Sequence, residues 1–554
     1  MWSAKATSTH PRVMAKETLH PPGISIVLTS SDDTTHLRRC LERFSACWAE
    51  VDAEVTVVHA GSRSELASLA QQFSSTTATA WIATDPGTLE RDLRRIGLER
   101  SRGDIVLFVN DRESERHEWA AKLCRNWGTW RDGGGRVINA PTCDEDVSSR
   151  FPHLSVVMPV HDGGPRFLLA LQALALSELP RQSWELVIVD DASTDETAVV
   201  AAQYADKLLR LRQAPRGPGY ARNRGFELTL GDSVAFVNAD VMVETNTLRW
   251  ALELLSENAD VGAVFGSCDS SPMNRGVLSE YRSLVQRFYH RRDAEDAVTF
   301  SSACGIVRSS VFENAGGYDE WHFSRRQLED LELGQRIRGL GKRIVVHPGI
   351  RAAHLRRWTF RRMIATEIFD RAVPWMRLMK GQLTHDRGGV GVRRPRVAKN
   401  INILVTWLGI IAGMLAWSRH SIPLGLVTVT CLAVLLVNST KQLAFISRER
   451  GLGFAAMSVP LDLLYYLVAG VGLLFGWIAR HVLGEPTPGA VAEAFAEMGV
   501  RRWPPVPVKR LARHAAATPA RLDQERSAAL ANPSVFPQHP SALSPRGDSS
   551  QQVQ

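Results

Sequence analysis

Three stretches decide how this chain is read: LSVVMPVHD (154–162), ELVIVDDASTDE (185–196) and VAFVNADV (234–241). Each is an apolar run that stops abruptly in a cluster of Asp, Asn or His. A short, continuous apolar run closed by turn residues is the pattern of a parallel strand buried on both faces. Such a strand delivers its polar end to the carboxyl edge of a sheet, where open α/β folds bind ligands. The expected class is therefore α/β.

The same order of segments stands upstream. ISIVLTSS (24–31), EVTVVHAGS (54–62) and GDIVLFVND (103–111) repeat it, and both regions contain G-D-x-V-x-F-V-N. Ile24 to Arg112 spans 89 residues and Leu154 to Asp240 spans 87, counted inclusively. This pattern reads as an internal duplication of a β-α-β unit. The halves differ at the strand ends. Asp190 and Asp191 stand where the upstream region has His59 and Ala60, and Asp240 where it has Arg112. Residues 23–132 are thus expected to form a degenerate, non-catalytic α/β domain that has lost the acids able to hold a metal or a base ring. Residues 1–22 are expected to be disordered, 133–150 to be a linker, and 151–380 to be the catalytic domain.

Downstream, a basic juxtamembrane segment (381–400) leads into three apolar spans: 401–417, 422–438 and 455–479. Their length and low charge point to transmembrane helices. Arg393, Arg394, Arg396 and Lys399 precede the first span, and Lys441, Arg448 and Arg450 lie between the second and third. The positive-inside rule then places the large domains in the cytoplasm, at a cytoplasmic membrane. The proline-rich tail, 484–554, is expected to be disordered.

The net charge of +8 is concentrated beside the apolar spans, which suits a membrane surface; the expected partners do not include nucleic acid. Seven cysteines, an odd number with no C-x-x-C, read as reduced thiols.

Several residues could carry chemistry. Asp190 and Asp191 could accept hydrogen bonds from a nucleobase or ribose, or belong to an ordinary turn before a helix near Glu196. Asp240, at a strand end, could hold a hard divalent cation. Glycines and arginines in APRGPGYARNRG (214–225) could approach phosphate oxygens. Glu329 and Asp330 open a helix, where acids suit the macrodipole or where Asp330 could serve as a general base. His354 is open between metal ligand, phosphate contact and packed histidine.

Taken in order, these segments resemble the family-2 glycosyltransferases, over about 154–375. The resemblance implies a GT-A fold, a Rossmann-like nucleotide-sugar-binding sheet. It implies an inverting, metal-dependent transfer with Mg²⁺ or Mn²⁺, from a nucleotide-sugar donor to a lipid-linked or glycan acceptor. Residue by residue, it assigns the donor to Pro159, Asp190, Asp191, Arg222, Asn223 and Asn238. Arg357 and Trp358, in HLRRW, join that set. It assigns the metal to Asp240, with His354 as a second ligand, and the acceptor side to a turn at Gly305. Catalysis falls to Asp330, with Glu329 beside it. Asn238-Ala239-Asp240 lacks the first acid of the family's D-x-D, and His354 replaces the glutamine of Q-x-x-R-W. The rival expectations are a membrane-anchored scaffold that binds a sugar nucleotide without turnover, and a polysaccharide synthase.

Overall fold

The computed structural model describes residues 23–31, 34–48, 53–73, 79–112, 153–212, 215–268, 276–292, 297, 299–320, 328–355, 358–374, 376 and 397–483. The expected disordered N-terminus, linker, basic segment up to 396 and tail lie outside these residues, as does Arg357.

A single twelve-stranded sheet runs through both α/β regions. The first region supplies β1 (Ile24–Ser31), β2 (Ala53–Ala60), β3 (Thr79–Thr84) and β4 (Ile105–Asn110). The second supplies β5 (Leu154–Val160), β6 (Trp184–Asp190), β7 (Lys207–Arg210) and β8 (Ser233–Val237). It adds β9 (Val241–Val243), β10 (Val261–Cys268), β11 (Cys304–Arg308) and β12 (Arg343–His354). The order is β3-β2-β1-β4-β7-β6-β5-β8-β11-β10-β12-β9.

Within this order β3-β2-β1-β4 and β7-β6-β5-β8 have the same sequence of connections, and all pairs inside each set are parallel. The two sets meet edge to edge. β4 pairs antiparallel with β7, Ile105 opposite Leu209 and Leu107 opposite Lys207. Each set thereby covers the other's open edge, which would otherwise expose unpaired N–H and C=O groups.

The two sets are also built on the same corner. Ser25 donates to the Glu54 carboxylate, and Gly103 N–H donates to Ser25 Oγ at 2.7 Å. Ser155 donates to Glu185 at 2.5 Å, and Gly231 N–H donates to Ser155 Oγ at 2.9 Å. A Cβ on Gly103 would lie 2.7 Å from Ser25 N, and one on Gly231 would lie 2.7 Å from Ser155 N. No other residue fits there without moving backbone.

Crossovers from β5 run to β6 on one side, while β8 lies on the other, so the β5/β8 boundary is the switch point where a crevice opens. β5 pairs with β6 as far as Val160 but with β8 only as far as Val157. Pro159 lies beyond the last β8 rung, so its missing N–H breaks no bond on that side.

Three helices long and apolar enough to cross a membrane follow: Val397–Arg419, Ile422–Arg450 and Leu452–Leu483. The second and third outrun the expected spans 422–438 and 455–479. Their extra turns form a post on which the helix Val277–Arg292 docks. Tyr281 OH donates to Asp462 at 2.5 Å, Gln442 Nε2 donates to the same carboxylate at 2.9 Å, and Arg287 pairs with Glu449 at 3.3 Å. Leu284, Ile446 and Ala455 form a small apolar cluster beneath them. The charged turns at the end of the second helix read as a loop in the sequence because Arg287, the partner of Glu449, lies 162 residues away.

Candidate active site

The loops after β5, β6 and β8 meet at the carboxyl edge. After β6, Asp191 is buried, and its two oxygens accept from Arg216 N–H and Gly217 N–H, each at 2.8 Å. Burial pushes the Asp191 carboxyl up, and those two bonds pull against the rise. Gly217 sits at φ +96°, a conformation that favours glycine, and the helix Pro218–Glu227 starts directly after it. Asp190 is also buried and accepts from Ser193 N–H at 3.0 Å. The expected turn is present, and Asp195 accepts from Thr197 N–H at 3.0 Å at the start of the helix Thr197–Ala202.

Arg222 and Asn223 lie inside the helix Pro218–Glu227 and not in a phosphate loop. Both are fully buried. Gly225 allows this, because a Cβ there would come within 2.5 Å of Val157 Cγ1 on β5. Asn223 donates to Tyr318 O at 2.8 Å and to Glu320 at 3.0 Å, and accepts from Tyr318 N–H at 2.8 Å. Its amide is spent on the 317–320 loop, so direct donor contact gives way to a supporting place. Arg222 donates to Asn238 Oδ1 at 2.9 Å, lies 3.7 Å from Glu329 Oε1 and stacks over Tyr318 at 5.1 Å. A guanidinium here explains why an amide suffices at Asn238: the carbonyl takes the donor that a carboxylate would otherwise take.

Ser302 and Ala303 strap this cluster to the acid pair. Asn238 N–H donates to Ala303 O at 3.3 Å. Ser302 donates to Asp330 Oδ2 through both its N–H, at 3.1 Å, and its hydroxyl, at 3.0 Å. Glu329 and Asp330 open the helix Glu329–Gly339, as the sequence suggests. Among the described residues, the buried Oδ1 of Asp330 has no hydrogen-bond partner. Sequence reasoning missed Ser302; it lies in the SSACG run, whose resemblance pointed to the acceptor side through Gly305 alone.

Gly305 lies within β11, opposite Phe236 of β8, and not at a turn. A Cβ there would lie 2.2 Å from Ser301 O and 2.7 Å from the Phe300 ring. The glycine lets the strap pass close to the strand.

Asp240 and His354, 114 positions apart in the chain, come together because β9 pairs antiparallel with β12 and sets Val241 opposite His354. His354 Nδ1 lies 3.9 Å from Asp240 Oδ1, with side chains 25% and 16% exposed. The described residues contain no group of three or more His, Cys, Asp or Glu around one point. One carboxylate and one imidazole fit a cation that keeps open positions for substrate oxygens and water.

Trp358, four residues after His354, packs on the docking helix. Its N–H donates to Ser279 Oγ at 3.0 Å and Arg282 stacks over its ring at 4.1 Å, both from the docking helix. Arg282 in turn pairs with Glu367 at 2.8 Å. His354 at the site and Trp358 on the docking helix therefore stand four residues apart in the chain.

With this geometry in hand, comparison with known proteins is informative. Residues 155–316 match the family model "Glycosyl transferase family 2". YdaM of Bacillus subtilis, named a probable glycosyltransferase, is 24% identical over 230 residues, covering 38% of this chain and 52% of that one. The O-antigen chain rhamnosyltransferase WbaN of Salmonella anatum is 25% identical over 268 residues, covering 45% of this chain and 80% of that one. Among solved structures, the mannosyltransferase PcManGT of Pyrobaculum calidifontis, in complex with GDP-Man and Mn²⁺, superposes with a TM-score of 0.32 at 18% identity, over 65% of this chain and 96% of that one. The stretch that matches the family-2 glycosyltransferase model lies within a mixed α/β sheet, and three apolar helices follow it. The match spans only about half the length of YdaM, 52%.

Proposed function

We propose that the chain is a membrane-bound inverting glycosyltransferase, moving a sugar from a nucleotide-sugar donor to a hydroxyl of a lipid-linked or glycan acceptor. One observation carries this reading: Arg222 donates to Asn238 and faces Glu329 at 3.7 Å, while Ala303 and Ser302 bond Asn238 and Asp330, so the Asn238–Asp240 turn and the Glu329–Asp330 pair are held side by side. The glycosyltransferase names of YdaM and WbaN support it.

In this reading the donor lies in the β5/β8 crevice, with its nucleoside toward Pro159, Asp190 and the loop that Asp191 holds. Asp330 Oδ1 takes the proton of the acceptor hydroxyl as that oxygen attacks the anomeric carbon. Ser302 fixes Oδ2, so that the free oxygen is aimed at the acceptor. A positioned base of this kind is worth about 10²–10⁴-fold. The bond from the anomeric carbon to the diphosphate breaks in the same step, so no covalent enzyme intermediate forms. Asp240 and His354 would hold Mg²⁺ or Mn²⁺, which when bound supplies positive charge for the departing diphosphate. Arg222 does not touch the donor; it holds Asn238 and Glu329 in register. The apolar helices bring the acceptor side to a membrane, and the catalytic region faces the cytoplasm.

The test is nucleoside diphosphate release by the full chain in detergent, with UDP-, GDP- and dTDP-sugars, Mn²⁺ or Mg²⁺, and a membrane lipid extract. Release of one diphosphate, abolished in Asp330→Asn, is expected. Donor binding without release under every condition would favour the non-catalytic scaffold. Binding of no donor would sink the assignment.

A further inference from the structure

The loop between β7 and the helix Pro218–Glu227 is anchored at both described ends, and the two anchors come from different regions. At its far end Asp191 holds Arg216 and Gly217. At its near end the anchor is the turn 101–104 of the first region. Arg210 Nη2 donates to Ser101 O at 3.0 Å and to Gly103 O at 2.5 Å. Arg210 N–H donates to Asp104 O at 2.8 Å. Arg212 pairs with Asp104 at 3.0 Å and also donates to the carbonyls of Arg102 and Gly103.

That turn is itself rigid. The Glu54 carboxylate accepts from Arg102 N–H, Gly103 N–H and Ser25 Oγ. These bonds point the turn's N–H groups inward and leave its carbonyls for the arginines. In the second region the matching carboxylate, Glu185, likewise accepts from Leu230 N–H at 2.7 Å and Ser155 Oγ, and it also pairs with the buried Lys207 at 2.7 Å. Three backbone carbonyls converging on two guanidinium groups form a specific receptor, because a carbonyl bonded to a charged donor makes a stronger bond than a neutral pair.

We propose that the first region acts as a clamp on the donor loop, with Arg210 and Arg212 as positioning residues for donor binding. The inference rests on placing the donor beside Arg216 and Gly217, as above. It gives a function to a region that carries none of the proposed catalytic groups. The Arg212–Asp104 pair is half exposed, and exposed pairs contribute little. Arg210 is the principal holder.

The test uses the full chain with Arg210→Ala, Arg212→Ala and Arg210→Lys, and two readouts. The first is amide hydrogen exchange at Arg216 and Gly217, which lie between Pro215 and Pro218, with β5 as internal reference. The second is donor KM and kcat. Exchange at Arg216 and Gly217 is expected to rise about tenfold in Arg210→Ala and less in Arg212→Ala, with β5 unchanged. Donor KM is expected to rise several-fold with kcat held, and Arg210→Lys is expected to recover part of the loss. Unchanged exchange overturns the clamp. Faster exchange with an unchanged donor KM overturns its role in donor positioning. If the wild-type chain turns over no donor, the functional reading fails, and exchange alone then decides the clamp. Should Arg210→Ala fail to fold, the exposed Arg212→Ala carries both readouts.

Discussion

The two α/β regions share a scaffold and differ at its edge. Both have the same strand order, and both close a Ser–Glu–Gly corner. At the carboxyl edge of the second region, each polar group has a job. Asp191 holds a loop, Arg222 bridges Asn238 toward Glu329, and Asp240 faces His354. At the same edge of the first region, His59 is fully buried, with Nδ1 on Ser30 Oγ at 3.2 Å. One acid does stand at this edge, and it is buried. Asp111 lies there, only 3% exposed. Burial pushes its carboxyl up, and the nearby Ser30 and His36 offset this in part. Identical scaffolds thus support either a working edge or a sealed one; the difference lies in which side chains are left reaching outward.

Substitutions can break or sharpen that contrast. The largest effect is expected for Asp330→Asn, with kcat falling roughly 10²–10⁴-fold and donor KM nearly unchanged. Steady-state kinetics on the donor that the panel selects checks it. Asp240→Ala is next. Metal titration of the activity is expected to shift to higher concentration, with His354→Ala shifting it by a smaller factor of about ten. Arg222→Ala leaves Glu329 buried beside a lost cation, so unfolding free energy is expected to fall by about 3–5 kcal/mol, read by denaturant titration.

The smallest effect is expected in the first region. Asp111→Asn should leave kcat and KM unchanged. Its signature is in stability. With the folded carboxyl raised above its unfolded value, the folded state binds the proton more tightly. The wild type therefore loses stability as pH rises from the unfolded to the folded value. Asp111→Asn removes that slope, and thermal melts across pH 3 to 8 would show whether it does.

Much of the second region was legible in the sequence because its strands are continuous apolar runs. β5, β6 and β8 fall on the three stretches that open the reading, and the acid pair does begin a helix. β7 was hidden. It is four residues long and begins with Lys207, whose charge is buried by pairing with Glu185. The β4–β7 seam was hidden too, because antiparallel pairing between two edges leaves no periodic trace. Arg222 and Asn223 looked like phosphate contacts because arginine and asparagine usually face water. Their burial depends on Gly225 and on Tyr318 and Glu320, nearly a hundred residues on. His354 and Asp240 could be named singly, but only the β9–β12 pairing joins them.

The most direct test of the contrast between edges is photo-crosslinking of the full chain with azido-UDP and azido-GDP sugar probes, followed by peptide mapping. The account predicts label on peptides around 159–193 and 215–240, competed by unlabelled donor and weakened in Asp240→Ala. Label on peptides around 29–62 or 90–112, insensitive to Asp240→Ala, would contradict it: the donor site would then lie in the first region.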